Sequence, residues 1–311
     1  MTPREIKNVA ASIRQRLLNE ARASDRPFNE LLQYYCMERF LSRLSHSPHS
    51  HRFVLKGALV LSSWIVSRSR PTKDIDFLGR VQNDVGTVAA LVKEVCQQAV
   101  DPDGLVFDES SVVGDRIAEE AEYGGVRVRC HARLGTARVV IQIDVGFGDE
   151  VVPGPTPIEF PTVLDLPTPK ILGYTKESVI AEKFHTMVRR GTLNSRVRDF
   201  YDVWSLSRQF DFDGQLLARA IRTTFSRRKT AVPDRPLALT KEYANDRSKI
   251  MQWRGFLRKG RLEECPSDFS EIVESIGVFL GPLAQALSTG AEFEFRWKAP
   301  GPWVNPASGG P

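Results

Sequence analysis

Between Phe53 and Leu78 the chain reads FVLKGALVLSSWIVSRSRPTKDIDFL, and this stretch leaves few folds open. An apolar pair leads into Lys56-Gly57, a helical run follows, and a short turn at Ser69-Arg70-Pro71-Thr72 precedes Asp74-Ile75-Asp76. The pattern predicts a glycine turn, a helix, a turn, and a strand that carries two carboxylates. Residues i and i+2 of a strand share a face. Asp74 and Asp76 therefore project together, with Ile75 and Phe77 turned to the core. Two close carboxylates repel and need a cation or a shared proton. A hard divalent cation such as Mg²⁺ takes such oxygens, usually with substrate phosphates completing its shell. A solvated strand end also reads Asp-x-Asp, so the pair gains weight only from the glycine turn and from two features further along.

The flanking segments place this stretch in a mixed architecture. Residues 4–22 predict a helix with Ile6, Val9, Ile13, Leu17 and Leu18 on one side. Residues 28–44 predict a second, with Leu31, Leu32, Tyr35 and Phe40 inward, and SHSPHS at 45–50 a loop. His46, His49 and His51 gather there, as a possible metal site or as a polar loop near a phosphate site. Residues 84–99 predict a helix. Residues 105–148 predict β structure: Val126, Val128 and Cys130 alternate with Arg127, Arg129 and His131. A further alternating strand, 138–144, ends in Asp144. Were it a neighbour of the Asp74/Asp76 strand, Asp144 would be a third carboxylate on the same shelf, which is the second feature.

The proline-rich residues 151–169 exclude regular helix and read as an extended crossing between domains. Beyond Thr175 the pattern is helical, over 178–190 with Thr175 or Ser178 as cap and Gly191 as stop, then 195–209, 214–228, 240–258 and 268–287. AEFEFRW near the end suggests a short strand, and the Pro/Gly tail suggests disorder. The third feature lies here. Asp199 and Asp202 are spaced i, i+3 and share a helix face. Lys183 on the preceding helix could pair with either one in a helix–helix salt bridge, or could reach a triphosphate.

Composition narrows the partners. Of 311 residues, 41% are hydrophobic and 26% charged, with a net charge of +5; this permits a polyanionic partner without requiring one. Four scattered cysteines, Cys36, Cys96, Cys130 and Cys265, suggest buried thiols rather than zinc ligands. The charged N-terminus has no secretory core, and no apolar run approaches the ~18 to 20 residues of a membrane span. The expected location is cytoplasmic, with no membrane partner.

With these features assembled, the sequence resembles the AbiEii/AbiGii (MenT-like) nucleotidyltransferase toxins of the polymerase-β-like superfamily. The matching residues are Leu55-Lys56-Gly57-Ala58, Ser69 to Phe77, Ile141-Gln142-Ile143-Asp144, Ile180-Ala181-Glu182-Lys183 and Arg198 to Trp204. One departure is Ala58, where the superfamily usually has Ser or Gly. A hydroxyl for the phosphate is lost there, so the contact falls to backbone N–H groups or to Ser62 or Ser63. The resemblance implies an α+β fold. A nucleotidyltransferase domain (1–170), built on a mixed sheet flanked by helices, precedes a C-terminal helical domain (171–311). It implies Mg²⁺ on Asp74, Asp76 and Asp144, and NTP contacts from Lys56, Gly57, Ala58, Arg70, Thr72 and Lys183. Asp74, Asp76, Lys183, Asp199 and Asp202 become the expected catalytic residues, with Asp202 favoured over Asp199 for the role nearest the nucleotide.

The implied reaction moves NMP from an NTP to an acceptor and releases pyrophosphate. The implied acceptor is RNA, the 3′ end of tRNA, which would block aminoacylation and translation. The biological role is that of the toxin of a type IV-like, phage-defence toxin–antitoxin system with a cognate antitoxin. Arg189, Arg190, Arg196, Arg198, Arg219, Arg222, Arg227, Arg228 and Lys229 suit a phosphate backbone and equally suit a solvated basic face. A nucleotidyltransferase acting on a protein hydroxyl or small molecule stays open, as does a non-catalytic binding module, although three carboxylates in one pattern argue against the latter.

Overall fold

The computed structural model describes residues 8–65, 72–117, 124–262 and 264–305. The chain forms two compact units, one from residues 1–148 with 155–174, the other from 149–154 with 175–311.

The first unit opens with α1 (Val9–Ala23) and α2 (Phe28–His46). Asn8 caps α1 by accepting from the Ala11 N–H. Residues 4–7 of the expected first helix lie outside the described residues. The chain continues with β1 (Phe53–Lys56), α3 (Gly57–Ser62), β2 (Asp74–Gly79), α4 (Val85–Gln97), β3 (Leu105–Ile117), β4 (Gly125–Leu134), β5 (Ala137–Gly146), β6 (Thr156–Glu159) and β7 (Lys170–Gly173). The strands form one mixed sheet in the order β3-β4-β5-β2-β1-β7-β6. The acid-bearing strand β2 is central, antiparallel to β1 and parallel to β5. Its odd positions are the core side: Ile75 and Phe77 are buried, as are Ile141, Ile143 and Val145 beside them on β5. Burying each such side chain contributes roughly 1.5–3 kcal/mol.

Helix α2 carries charge into this core. Arg43 makes two hydrogen bonds to Asp103, at 2.6 and 3.1 Å, and Arg39 pairs with Glu38 at 2.6 Å. Glu38 also accepts from the Val163 N–H at 2.6 Å, and Arg39 donates to the Pro167 carbonyl at 3.3 Å. These bonds hold residues 160–167 on α2. The proline-rich segment is therefore not an interdomain crossing for most of its length: from residue 155 it folds into the first unit, as β6 and the approach to β7. Pro157 is tolerated because β6 is the last strand of the sheet and one of its edges needs no donor.

Only residues 149–154 leave the first unit. In the second, Asp149 accepts two bonds from Arg228, both at 3.0 Å, and Glu150 accepts from Arg227 at 2.7 Å. The Val152 carbonyl accepts from the Thr175 hydroxyl at 2.6 Å, and its N–H donates to Ser178 Oγ at 2.8 Å.

The second unit is helical: α5 (Lys176–Arg190), α6 (Val197–Gln209), the short β8 (Phe212–Asp213), α7 (Gly214–Arg227), α8 (Lys241–Ala244), α9 (Arg247–Gly260) and α10 (Phe269–Thr289), then β9 (Arg296–Trp297) and β10 (Trp303–Val304). Thr175 caps α5, and Gly191, at φ 46°, ends it. The expected helix over 240–258 is two helices, because Asp246 turns its carboxylate onto the Ser248 and Lys249 N–H groups and starts α9 afresh. The core is aromatic: Phe200 stacks on Tyr243, and Phe269 meets Phe200, Tyr243 and Trp253. β8, β9 and β10 make a small sheet, and Trp297 donates to the Ser207 carbonyl at 2.7 Å. Part of the expected disordered tail is thus a strand; residues 306–311 lie outside the described residues. Helix α10 is long and apolar enough to cross a bilayer, contrary to the reading of the sequence. Its buried side chains, Phe269, Ile272, Ile276, Phe279 and Leu283 among them, pack within the unit.

Candidate active site

The register of the sheet brings four charged residues into one row. Lys56 on β1 is paired with Asp76 on β2, Asp76 with Asp144 on β5, and Asp144 with Arg127 on β4. Directly opposed residues share a face with Cβ atoms about 4.5–5.5 Å apart. The row runs cation, carboxylate, carboxylate, cation, with Asp74 one pleat away from Asp76 on the same face and beside Gln142. All five charged side chains are half-buried.

Gly57 is required by this geometry. It opens α3 at φ 68°, where other residues are strained. A Cβ there would lie 2.7 Å from Asp76 Cγ and overlap its carboxylate. The glycine turn therefore exists to admit Asp76. Lys56 extends over the Tyr174 ring, 5.7 Å from its centre. Ala58 is buried in the first turn of α3, and Thr72 Oγ1 lies 3.5 Å from the Asp74 carbonyl it donates to. Arg70 lies outside the described residues. The two serines expected to replace the missing hydroxyl are engaged elsewhere: Ser63 bonds the Val60 carbonyl at 2.7 Å, and Ser62 bonds Tyr34.

Arg127 completes the row at a position that strand alternation alone marks only as outward-facing. Its Nε donates to Asp144 Oδ1 at 2.8 Å and its Nη2 to Oδ2 at 2.6 Å. Gln142 Nε2 adds a longer bond to Oδ2, at 3.3 Å. The hydrogen bond to Asp144 raises the Arg127 pKa against partial desolvation, and the charges of Asp144, Asp74 and Asp76 add to the rise. The three carboxylates thus act on one guanidinium. Among the described residues no group of three or more His, Cys, Asp or Glu side chains is placed to hold a metal ion. Two hard carboxylates one pleat apart nonetheless suit Mg²⁺, which commonly takes one or two protein carboxylates and completes its shell from phosphates and water.

The second unit holds the other expected cluster. Lys183 Nζ, on α5, donates to Asp199 Oδ1 at 2.8 Å and to Asp202 Oδ2 at 2.6 Å, both on α6. It pairs with both carboxylates rather than with one. All three side chains are buried, Asp202 most completely at 1% exposure. The expected basic face is thinner than the sequence suggests, since Arg227 is paired with Glu150, and half-buried Arg228 with Asp149 and Glu182. Arg189, Arg198, Arg219, Arg222 and Lys229 are exposed. So are Arg247, Arg254, Arg258 and Lys259 of α9, a helix without an acidic residue. The histidine loop does not converge: His49 bonds Glu94 at 2.7 Å, and His46 bonds the Ser42 carbonyl. All four cysteines are buried.

A central strand that offers two carboxylates beside a glycine turn, in a mixed sheet with a third carboxylate on the parallel neighbour, is the architecture of a nucleotidyltransferase. The chain belongs to the AbiEii family, nucleotidyl transferase toxins of type IV toxin–antitoxin systems, whose family model matches residues 39–275. Membership implies an NTP substrate and an antitoxin as counterpart. Among solved structures, JHP933 from Helicobacter pylori aligns with 84% of this chain and 93% of its own, at 15% identity and a TM-score of 0.47. An H. pylori protein assigned provisionally as a nucleotidyltransferase aligns with 84% of this chain and 96% of its own, at 15% identity and a TM-score of 0.40. No curated protein matches the chain.

Proposed function

We propose that this nucleotidyltransferase moves NMP from an NTP to the 3′ end of tRNA, in a Mg²⁺-dependent reaction that blocks aminoacylation and so translation. The observation that carries the reading is the row Lys56–Asp76–Asp144–Arg127 with Asp74 beside it, built around a glycine that no other residue can replace without displacing Asp76. Asp74 and Asp76 would hold the metal. Bound there, Mg²⁺ supplies Lewis-acid polarisation of the α-phosphate and charge neutralisation on the departing pyrophosphate.

The chain's own groups do the rest. Lys56 sets a positive charge at the end of the row, where triphosphate charge is to be balanced. The backbone N–H groups of the Gly57-Ala58 turn replace the hydroxyl that Ala58 lacks. Asp144 Oδ1 takes one donor where Oδ2 takes two, and is assigned the acceptor's proton. The acceptor hydroxyl oxygen bonds to the α-phosphorus, its proton passes to Oδ1, and the α–β bridging bond breaks with its electron pair leaving on pyrophosphate. Lys183 is held by Asp199 and Asp202 within the second unit. Arg70 and Thr72 complete the proposed NTP contacts. An RNA acceptor is supported by the exposed cations of α7 and α9, since phosphate contacts from Arg and Lys supply sequence-independent affinity.

The test is incubation of the purified protein with Mg²⁺, each α-³²P-labelled NTP in turn, and total bacterial tRNA, resolved on a denaturing gel. Label in the tRNA band, lost on omission of Mg²⁺, is the expected result. Label confined to a protein band would overturn the RNA acceptor, and no label in any band would overturn the reaction as written.

A further inference from the structure

We propose that Arg127 is a built-in cation of the transfer site that engages Asp144 in place of a second metal ion, so that the protein works with a single divalent ion. The inference rests on the nucleotidyl-transfer reading and concerns only how its charges are met. Asp144 and Asp76 are register partners on neighbouring parallel strands, the placement from which two carboxylates would share a second ion. Yet both Asp144 oxygens are taken by one guanidinium in a bidentate fork, at 2.8 and 2.6 Å. Such a pair is roughly twice as strong as neutral hydrogen bonds and fixed in direction, and arginine cannot give up its proton to make way. The pair is not a loose surface bridge, because Asp144 is 17% and Arg127 33% exposed. Arg127 also answers to more than Asp144, since the charges of Asp74 and Asp76 stabilise its protonated form.

The consequence is a division of labour among three carboxylates of one kind. Asp74 and Asp76 take the ion that comes with the nucleotide. Asp144 is oriented by the Arg127 fork, and acts on the acceptor's proton instead of on a metal. Arg127 is thus a positioning residue: it acts through Asp144 and sets the number of ions the site takes.

The experiment counts ions. Mn²⁺ is titrated into the full chain, each α,β-methylene nucleoside triphosphate is added in turn as a non-transferable substrate, and bound Mn²⁺ per chain is read by electron paramagnetic resonance. The wild-type protein is expected to bind one Mn²⁺ per nucleotide complex. Arg127→Met, which removes the cation and releases Asp144, is expected to bind two, while Arg127→Lys stays at one. Asp144→Asn in the otherwise unchanged protein is expected to leave the count at one, and this variant decides the matter even if Arg127→Met does not fold. Two ions in the wild-type protein, falling to one in Asp144→Asn, would overturn the proposal while leaving nucleotidyl transfer intact. No bound Mn²⁺ with any of the four analogues would overturn both this proposal and the metal reading of Asp74 and Asp76.

Discussion

The two units handle clustered carboxylates in opposite ways. On the sheet of the first, Asp74, Asp76 and Asp144 are half-buried on one face, with cations at the two ends of their row. Among the helices of the second, Asp199 and Asp202 are buried around a single lysine between them, at 2.8 and 2.6 Å. A half-buried carboxylate keeps part of its hydration and can exchange it for a ligand cation. A buried one must be paired within the protein, because an uncompensated buried charge costs several kcal/mol. The sheet cluster is therefore organised for something that arrives, and the helical cluster is complete in itself.

The largest effects should come from the sheet. Asp74→Asn and Asp76→Asn each remove one ionic ligand while keeping shape. Loss of metal-assisted charge stabilisation worth several kcal/mol predicts a fall in label transfer of about 10³-fold or more. Thermal unfolding should move little, because each substitution keeps the shape of a side chain that is only half-buried; a large drop in melting temperature would make them structural and erase the contrast. Lys183→Met should behave the other way round. It strands two buried carboxylates, so urea denaturation should show a loss of about 3–5 kcal/mol whatever happens to activity. Full stability in Lys183→Met would mean the helical cluster is as open as the sheet one.

Much of the sheet cluster is legible in sequence because period-2 alternation is a local property. Asp74 and Asp76 on one face, Ile75 and Phe77 on the other, and Asp144 at the end of a second alternating strand all follow from it. The adjacency of β2 and β5 does not, since parallel pairing is set by long-range packing. Arg127 was within reach. The hairpin turn at Gly135-Thr136 joins Leu134 to Ala137, and a two-residue turn fixes every later pair in the ladder, which sets Arg127 opposite Asp144. The edge strand β6 is hidden by Pro157 within it and the prolines around it, whose meaning depends on the strand's lying at the edge. In the second unit, helix existence was clear from the apolar period. The break at Asp246 was not, because the same carboxylate reads as an exposed helical residue until its bonds to Ser248 and Lys249 are seen. That Lys183 bonds both Asp199 and Asp202 depends on how α5 and α6 pack, which spacing alone leaves open.

A smaller effect separates geometry from charge within the sheet cluster. Gly57→Ala adds a methyl group that meets Asp76 at a positive φ, a strain worth about 1–3 kcal/mol. Because Asp76 is the flexible partner, the strain should be relieved by turning its carboxylate. Transfer should therefore fall by more than stability does, measured as label incorporation against urea midpoint. Equal losses would mean the turn serves the fold rather than the carboxylate.

The subtlest prediction sets the units against each other in pH. In the first, burial raises the Glu38 carboxyl to about 7, against the lowering effects of Arg39 and the Val163 N–H. The folded chain then holds a proton that the unfolded chain releases above about 4.5, so this stabilisation is full at low pH and is lost as pH rises through 7. In the second, burial lowers His185 to about 4, aided by the charges of Arg228 and Arg189. The unfolded chain takes up a proton below about 6.5 that the folded one refuses, so this stabilisation is present above 6.5 and is lost as pH falls toward 4. Between pH 4.5 and 6.5 the two slopes oppose and the wild-type urea midpoint should be nearly flat. Glu38→Gln should uncover the His185 slope, with stability falling on acidification. His185→Gln should uncover the Glu38 slope, with stability falling as pH rises. If both variants stay flat, neither group titrates between the folded and unfolded states, and the units differ in their carboxylate clusters without differing in their response to protons.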